Sequence, residues 1–534
     1  MSRPLTPDED QVTQQRGIGR HMYHSDAPSR RGIEVMGIEP IPPEEQTSRP
    51  RDFFRIAVGA ALATTTVILG TLPIAMGLSL WQAITAITVG TLVGAVFLAP
   101  LSIFGSRTHT NNAVTSGAHF GVRGRIVGTS LSLLIAMTFF TVSVWVGGDS
   151  VAAAISRIAP EASGNTLTAA CYAATAVLIY TICIAGYRSV LRVNVFIAPA
   201  LFVVLAVGVA TFWTRIDFTY VGDPTGYAFG SASSTWVAAM LVAMANPLSF
   251  GPFLGDWSRY LPSTTSGGRL ALLTFLAHVV SLVPFFFGAM TATLVPDAAD
   301  YMNGLISISP SWFVPAIVMI GLVGGVSGGV ASLYGTGLDF SSLVHTVSRV
   351  QGTFIIGAMS IGVVFLGRFV FDLVDTVNSF LSLILILSAP WIAIMLVGFI
   401  TRRAYYQSDD LQVFARRQKG GIYWSLAGFN ARALTAWIIG CVLGLLTANT
   451  PMIVGPLNHL FAGLDVSFFF TFIVTGVIYY ALLVVCPEPR YLHGPHGPRW
   501  VPTKNVDAPP ITHGISASVA HATPGIASAA GDRP

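Results

Sequence analysis

Charge is what this chain has least of. Of its 534 residues only 10% are Asp, Glu, Lys or Arg, whereas soluble domains carry about 25%. Hydrophobic residues make up 53%, and mean hydropathy is +0.66. That shortage of charge excludes a string of soluble domains, whatever the length. No basic stripe with interleaved aromatics exists, which excludes nucleic acid as a partner. The four cysteines, Cys171, Cys183, Cys441 and Cys486, stand singly in apolar runs, so they form neither a disulfide framework nor a metal-ligand pattern. Residues 1 to 50 hold no apolar core of signal-peptide length. The apolar runs lack the charged rings of a channel pore, and also the paired carboxylates or His/Cys cluster of a membrane-embedded enzyme.

What the chain does have is apolar length. Runs fit to cross a bilayer fall near 53–78, 81–105, 124–156, 167–186, 190–213, 234–260, 268–294, 311–338, 353–372, 374–400, 431–449 and 465–486. Basic loop residues alternate along these twelve spans. Arg107, Arg123, Arg125, Arg188, Arg192, Arg259, Arg269, Arg349, Arg402, Arg403, Arg416, Arg417, Lys419, Arg490, Arg499 and Lys504 fall on one side. Only Arg157, Arg215 and Arg368 fall on the other, with the acidic stretches 217–223 and 297–300. The positive-inside rule then predicts a multi-pass cell-membrane protein with both termini cytoplasmic. The Pro, Glu and Arg-rich segment 1–50 and the tail 487–534 read as disordered.

Two spans are interrupted. The first contains Leu69-Gly70-Thr71-Leu72-Pro73, and the sixth contains Asn246-Pro247 and Gly251-Pro252 before a polar restart at Asp256, Trp257, Arg259 and Tyr260. Proline removes an amide donor, and backbone groups freed inside a bilayer survive only beside a polar cavity or a ligand. Each interrupted span opens a group of five, the pattern of inverted repeats around a midplane site. We therefore expect an all-α integral membrane fold. Repeat one covers 51–214 and repeat two 234–400 within a transport core 51–400. A cytoplasmic linker follows at 401–430, then two additional helices at 431–486.

Polar residues inside the apolar runs are the candidates for function. Phe139 and Ser143 lie one turn apart on one helix face, where a planar ligand could stack and hydrogen-bond; ordinary packing is the alternative. Asn246, Phe250, Ser332, Thr65 and Thr66 could complete such a site. Asp149 is a carboxylate within a span, hence a coupling candidate or part of a solvated vestibule. Gly324, Gly328 and Ser332 recur at four-residue spacing, allowing a close helix crossing or a cation site. Ser327 and carbonyls from Thr66 to Leu69 are the proposed cation ligands. Asp256 and Arg259, at i and i+3, read as a surface pair or as a cytoplasmic gate.

Three motifs carry a resemblance. Gly255-Asp256-Trp257-Ser258-Arg259-Tyr260-Leu261-Pro262, Leu333-Tyr334-Gly335-Thr336-Gly337-Leu338 and Phe120-Gly121-Val122-Arg123-Gly124 are similar to segments of the nucleobase:cation symporter-1 family, the purine and cytosine permease group. The resemblance covers residues from about 50 to 486. It implies two inverted five-helix repeats (LeuT-like) and a nucleobase or related heterocycle bound at mid-membrane. It also implies symport with Na+ or H+ and no other cofactor. By the same resemblance the family's stacking aromatic and amide of helix three fall on Phe139 and Ser143. Its helix-six aromatic falls on Phe250 or Pro247, its helix-eight asparagine on Ser332 and a sodium-site hydroxyl on Ser327. Phenylalanine and serine thus replace a tryptophan and an amide, and Val326 lacks a second hydroxyl. Allantoin, hydantoin, thiamine and pyridoxine remain alternative substrates.

Overall fold

The computed structural model describes residues 39–184, 187–223, 226–295, 301–344, 346–369, 373–450 and 453–513. The expected acidic stretch 297–300 and the outer parts of both tails lie outside them. Each expected span falls on helix. Span 1 is α1 (Pro50–Ala61) and α2 (Thr64–Ala75); span 2 is α3 (Leu80–Leu98), continued by Ser102–Thr108. Spans 3, 4 and 5 are α4 (Ile126–Ile158), α5 (Asn165–Ile184) and α6 (Tyr187–Phe212). Span 6 is α7 (Ala232–Ser249) and α8 (Leu254–Ser258), and span 7 is α9 (Gly267–Val280) and α10 (Leu282–Ala292). Spans 8 to 10 end in α11 (Gly324–Leu343), α12 (Arg349–Phe369) and α13 (Leu373–Thr401). Spans 11 and 12 are α14 (Ala431–Thr447) and α15 (Ser467–Val485). Among the described residues eight helices are long and apolar enough to cross a bilayer, and the bent first pair makes a ninth. Three shorter apolar helices, Phe196–Phe212, Val350–Leu366 and Ala431–Thr447, fill the other expected positions.

The packing repeats when the halves are exchanged. α3 of span 2 lies along α7 of span 6, and α2 of span 1 lies along α10 of span 7. Spans 3 and 8 pack on each other, span 3 on 4 as span 8 on 9, and span 5 on 1 as span 10 on 6. Swapping spans 1–5 with 6–10 therefore returns the same contacts, as two repeats require. Both crossings depend on missing side chains. A Cβ on Gly90 would strike the Met240 carbonyl, and one on Gly288 would strike the Val67 carbonyl. Spans 11 and 12 pack on each other and on span 10, outside this scheme.

Loop contacts gather several of the loops at two ends. At one end Gly77 O accepts from Asp223 N and Tyr220 O from Leu80 N. At the other, Tyr260 O accepts from Ser48 N and Gly428 O from Arg123 N. The second end carries the basic loops. Two arginines expected as exceptions have a structural use at the acidic end. Arg157 donates to the carbonyls of Ile306 and, at 3.0 Å, Ser309, and Arg215 donates to Ile308 O at 2.6 Å. Both close the carbonyl end of the short helix Tyr301–Ile308.

Two expectations need correction. Span 1 breaks at Leu62–Ala63, with a 44° bend, and not at Leu69–Pro73; Pro73 is accommodated inside α2. No helix breaker stands at Leu62–Ala63, so packing imposes the bend, and Thr66 Oγ1 takes up the freed Ala61 carbonyl at 3.2 Å. Parts of both tails are ordered. Ile41 is buried and donates to His109 O at 2.9 Å. Residues 487–513 run back over the basic loops, where Glu488–Pro489 pairs with Thr503–Lys504 and Gln418–Lys419 with Thr512–His513. A buried ion pair anchors this segment. Arg402 Nη2 lies 2.8 Å from Glu488 Oε1, and its Nη1 donates to Ala118 O at 2.5 Å.

Candidate substrate and coupling sites

The bend of span 1 meets spans 3 and 8 through hydroxyls and glycines. Thr64 donates to the carbonyl of Ile320, within the π-helical turn Met319–Val323 that precedes α11. Gly324 makes this approach possible, since a Cβ there would strike Thr64 Oγ1. One turn on, the position of a Cβ on Gly328 would lie 3.1 Å from Ser143 Oγ and 3.8 Å from Thr65 Oγ1. Ser143 is fully buried, and its Oγ has no hydrogen-bond partner among the described residues. Ser332 donates to Gly328 O at 3.0 Å. Thr65, Ser143, Gly328 and Ser332 thus form one polar spot where three spans converge. Phe139, one turn from Ser143, is buried in protein and does not face lipid.

Ser327 donates to Gly59 O at 2.9 Å, across the interface between spans 8 and 1. The carbonyl it meets precedes the bend. Leu69, expected as a cation ligand, lies well inside α2, beside Gly70 and its contact with Phe285. The displaced break explains the correction, because the unwound backbone is at Leu62–Ala63.

The break of span 6 is where the sequence places it, between Ser249 and Leu254. Asn112, unremarked in the sequence, donates to the freed Gly251 carbonyl at 2.7 Å and to Leu101 O at 3.0 Å. Phe250 packs against Trp257 and His278, with ring centroids 5.8 and 5.5 Å away. No ring contact joins Phe250 to Phe139 among the described residues. Asn246 is buried one turn before Phe250. The structure therefore brings Thr65, Ser143 and Ser332 together, and sets Asn246 and Phe250 at a second break.

Asp149 is buried, which removes the open-vestibule reading. Its carboxylate accepts from Trp145 Nε1 at 2.6 Å and from the Tyr172 hydroxyl at 2.8 Å. Asp256 and Arg259 are not a surface pair, since both are buried. Arg259 Nη2 donates to Tyr260 at 3.1 Å and to Tyr334 at 3.4 Å. Close by, Asp339 accepts from Asn111 Nδ2 at 2.6 Å and from Ser132. Arg125 is buried near the Asp339 carboxyl group. Arg125, Asp256, Arg259 and Asp339 bring two basic and two acidic side chains, from spans 3, 6 and 8, to the basic end. Asp339 and Arg125 were missed as functional candidates, although a carboxylate at the end of a glycine-rich span was a visible signal.

A family model described as a permease for cytosine/purines, uracil, thiamine and allantoin matches residues 40–470. The chain belongs to that permease family. It is 27% identical over 464 residues to a putative purine-cytosine permease of Bacillus subtilis, covering 84% of this chain and 96% of that one. It is 24% identical to a hydantoin permease of Microbacterium maritypicum, over 70% of this chain and 77% of that one. Its fold is that of Mhp1, a nucleobase-cation-symport-1 family transporter solved closed with bromovinylhydantoin bound. The TM-score is 0.65 at 18% identity, covering 84% of this permease and 94% of Mhp1.

Proposed function

We propose that this permease is a secondary active transporter that imports a nucleobase, cytosine or a purine, or a related heterocycle such as hydantoin, allantoin, thiamine or pyridoxine, by symport with a cation. One observation carries the reading: span 1 bends where it meets Ser143 of span 3 and the Gly324–Gly328 face of span 8, and span 6 breaks between Ser249 and Leu254 just after the buried Asn246. A planar ligand would stack on Phe139 or Phe250 and be read by Ser143, Asn246, Ser332, Thr65 and Thr66. The basic end is cytoplasmic in this reading, by the positive-inside rule. Spans 1–10 form the moving core, and spans 11 and 12 are additions to it.

Coupling has two candidate carriers. Ser327 Oγ and the Gly59 carbonyl are hard oxygen donors beside the bend of span 1, fit for sodium. Asp149, held by two neutral donors, is the candidate for a proton. The cluster of Arg125, Asp256, Arg259 and Asp339 would close the cytoplasmic side. Charges that neutralise one another in the closed state would be exposed to water when the end opens.

Uptake of labelled cytosine and, separately, of labelled uracil into proteoliposomes, each competed with purines, hydantoin, allantoin, thiamine and pyridoxine, tests the reading. Competition by at least one heterocycle, driven by a sodium or proton gradient, is the expected result. Gradient-independent leak of unrelated solutes would reject it.

A further inference from the structure

Three polar atoms around Phe250 have no hydrogen-bond partner among the described residues: Asn246 Nδ2, Trp257 Nε1 and His278 Nε2. Each of the three residues is only 1% exposed. Trp257 and His278 both touch the Phe250 ring, and Asn246 precedes it by one helical turn on the same face of span 6. Orphaned polar groups are rare in protein interiors, and three around one ring call for an explanation.

Their chemistry is fixed. His278 Nδ1 lies 2.8 Å from Thr274 O, and a carbonyl only accepts, so Nδ1 carries the hydrogen and Nε2 offers a lone pair. The amide nitrogen of Asn246 and the indole nitrogen of Trp257 only donate. The break in span 6 therefore holds two orphaned donors and one orphaned acceptor beside an aromatic face.

We propose that this set recognises the imide edge of a heterocycle, a ring N–H flanked by two carbonyls, stacked on Phe250. The N–H donates to His278 Nε2, and the carbonyls accept from Trp257 Nε1 and Asn246 Nδ2. Uracil and hydantoin carry that edge. Cytosine does not: its ring nitrogen would set a lone pair against His278, and its amino group would set a donor against a donor. The inference rests on the chain being a heterocycle transporter and narrows the substrate class within that reading. It makes Trp257 and His278 ligand contacts.

Equilibrium binding to purified protein tests it, with uracil, hydantoin, their N3-methyl derivatives and cytosine as probes. Wild type should bind one of the imides at least tenfold more tightly than its N3-methyl derivative and than cytosine. His278→Leu should abolish the preference for N–H over N-methyl. His278→Gln, whose side-chain carbonyl restores an acceptor, should recover it. Trp257→Phe should weaken imide binding several-fold while leaving the N-methyl discrimination intact. Monodisperse elution and an unchanged melting temperature establish that each variant is folded. Should His278→Leu keep the N–H preference, or wild type bind cytosine as tightly as the imides, the inference is overturned and the transporter reading stands. Absence of binding and uptake for every heterocycle tested overturns both.

Discussion

Ser143, Ser327 and Phe139 show how much a single side chain in a span depends on its neighbours. A serine in an apolar helix ordinarily returns its hydroxyl to its own backbone, as Ser332 does to Gly328 O at 3.0 Å. Ser143 makes no such bond, and Ser327 reaches another span, which sets both apart from packing serines. Ser327→Ala is expected to remove the sodium dependence of uptake if sodium is the coupling ion; uptake that remains equally sodium-dependent would discard this site. Asp149→Asn should abolish acceleration by an inward proton gradient, and full proton-driven uptake by that variant would discard the carboxylate. Loss of a stacking ring, Phe139→Ala or Phe250→Ala, should weaken ligand binding by about 1–3 kcal/mol, the scale of a heterocycle on an aromatic side chain. Isothermal calorimetry measures it, and unchanged binding in both variants would reject stacking.

At the scale of elements, the paired crossings of spans 2 with 6 and 1 with 7 depend on glycine. Gly288→Val would drive its side chain into the Val67 carbonyl, forcing span 7 from span 1. Overpacking of this kind costs about 1–3 kcal/mol, so the melting temperature should fall. Gly362→Val in span 9 is the control, because nothing lies within 4 Å of a Cβ there. Equal melting temperatures for the two variants would show that the close approach is not needed. The break of span 6 was legible because Pro247 and Gly251 act locally on their own backbone. That of span 1 was not, since Leu62–Ala63 carries no breaker and its bend answers to contacts with Gly324 and Ile320, more than 250 residues away in sequence.

For the molecule as a whole, the segment after span 12 ties the basic end together. Burial alone would raise the Glu488 carboxyl, but the Arg402 guanidinium overcomes it and holds the group below its ordinary 4.5. Glu488→Gln would leave Arg402 buried without its counter-charge, a loss of about 3–5 kcal/mol seen as a lower melting temperature. His119, at the same end, is held neutral by burial and then by Arg402, well below its ordinary 6.5. A lowered native value means that its contribution is complete above pH 6.5 and is lost as pH falls through the native value. Glu488 contributes fully above pH 4.5 and loses its contribution below. Thermal stability in detergent should therefore begin to fall below pH 6.5, and the fall should be smaller in His119→Gln. A flat profile in wild type from pH 7 to 5 would contradict this.

Sequence alone determined the membrane class, the places of the apolar helices and the permease family, because hydropathy and short motifs are properties of neighbouring residues. Proline and glycine likewise announced the break in span 6. Tertiary structure decided what depends on distant partners: the true bend of span 1, the meeting of Ser143, Thr65 and Gly328, and the pairing of Arg402 with Glu488. It also buried His278 and Trp257 against Phe250 with their polar atoms unmatched. In a bilayer each polar group must find a partner within the protein, and the partner's identity is set by which spans pack together.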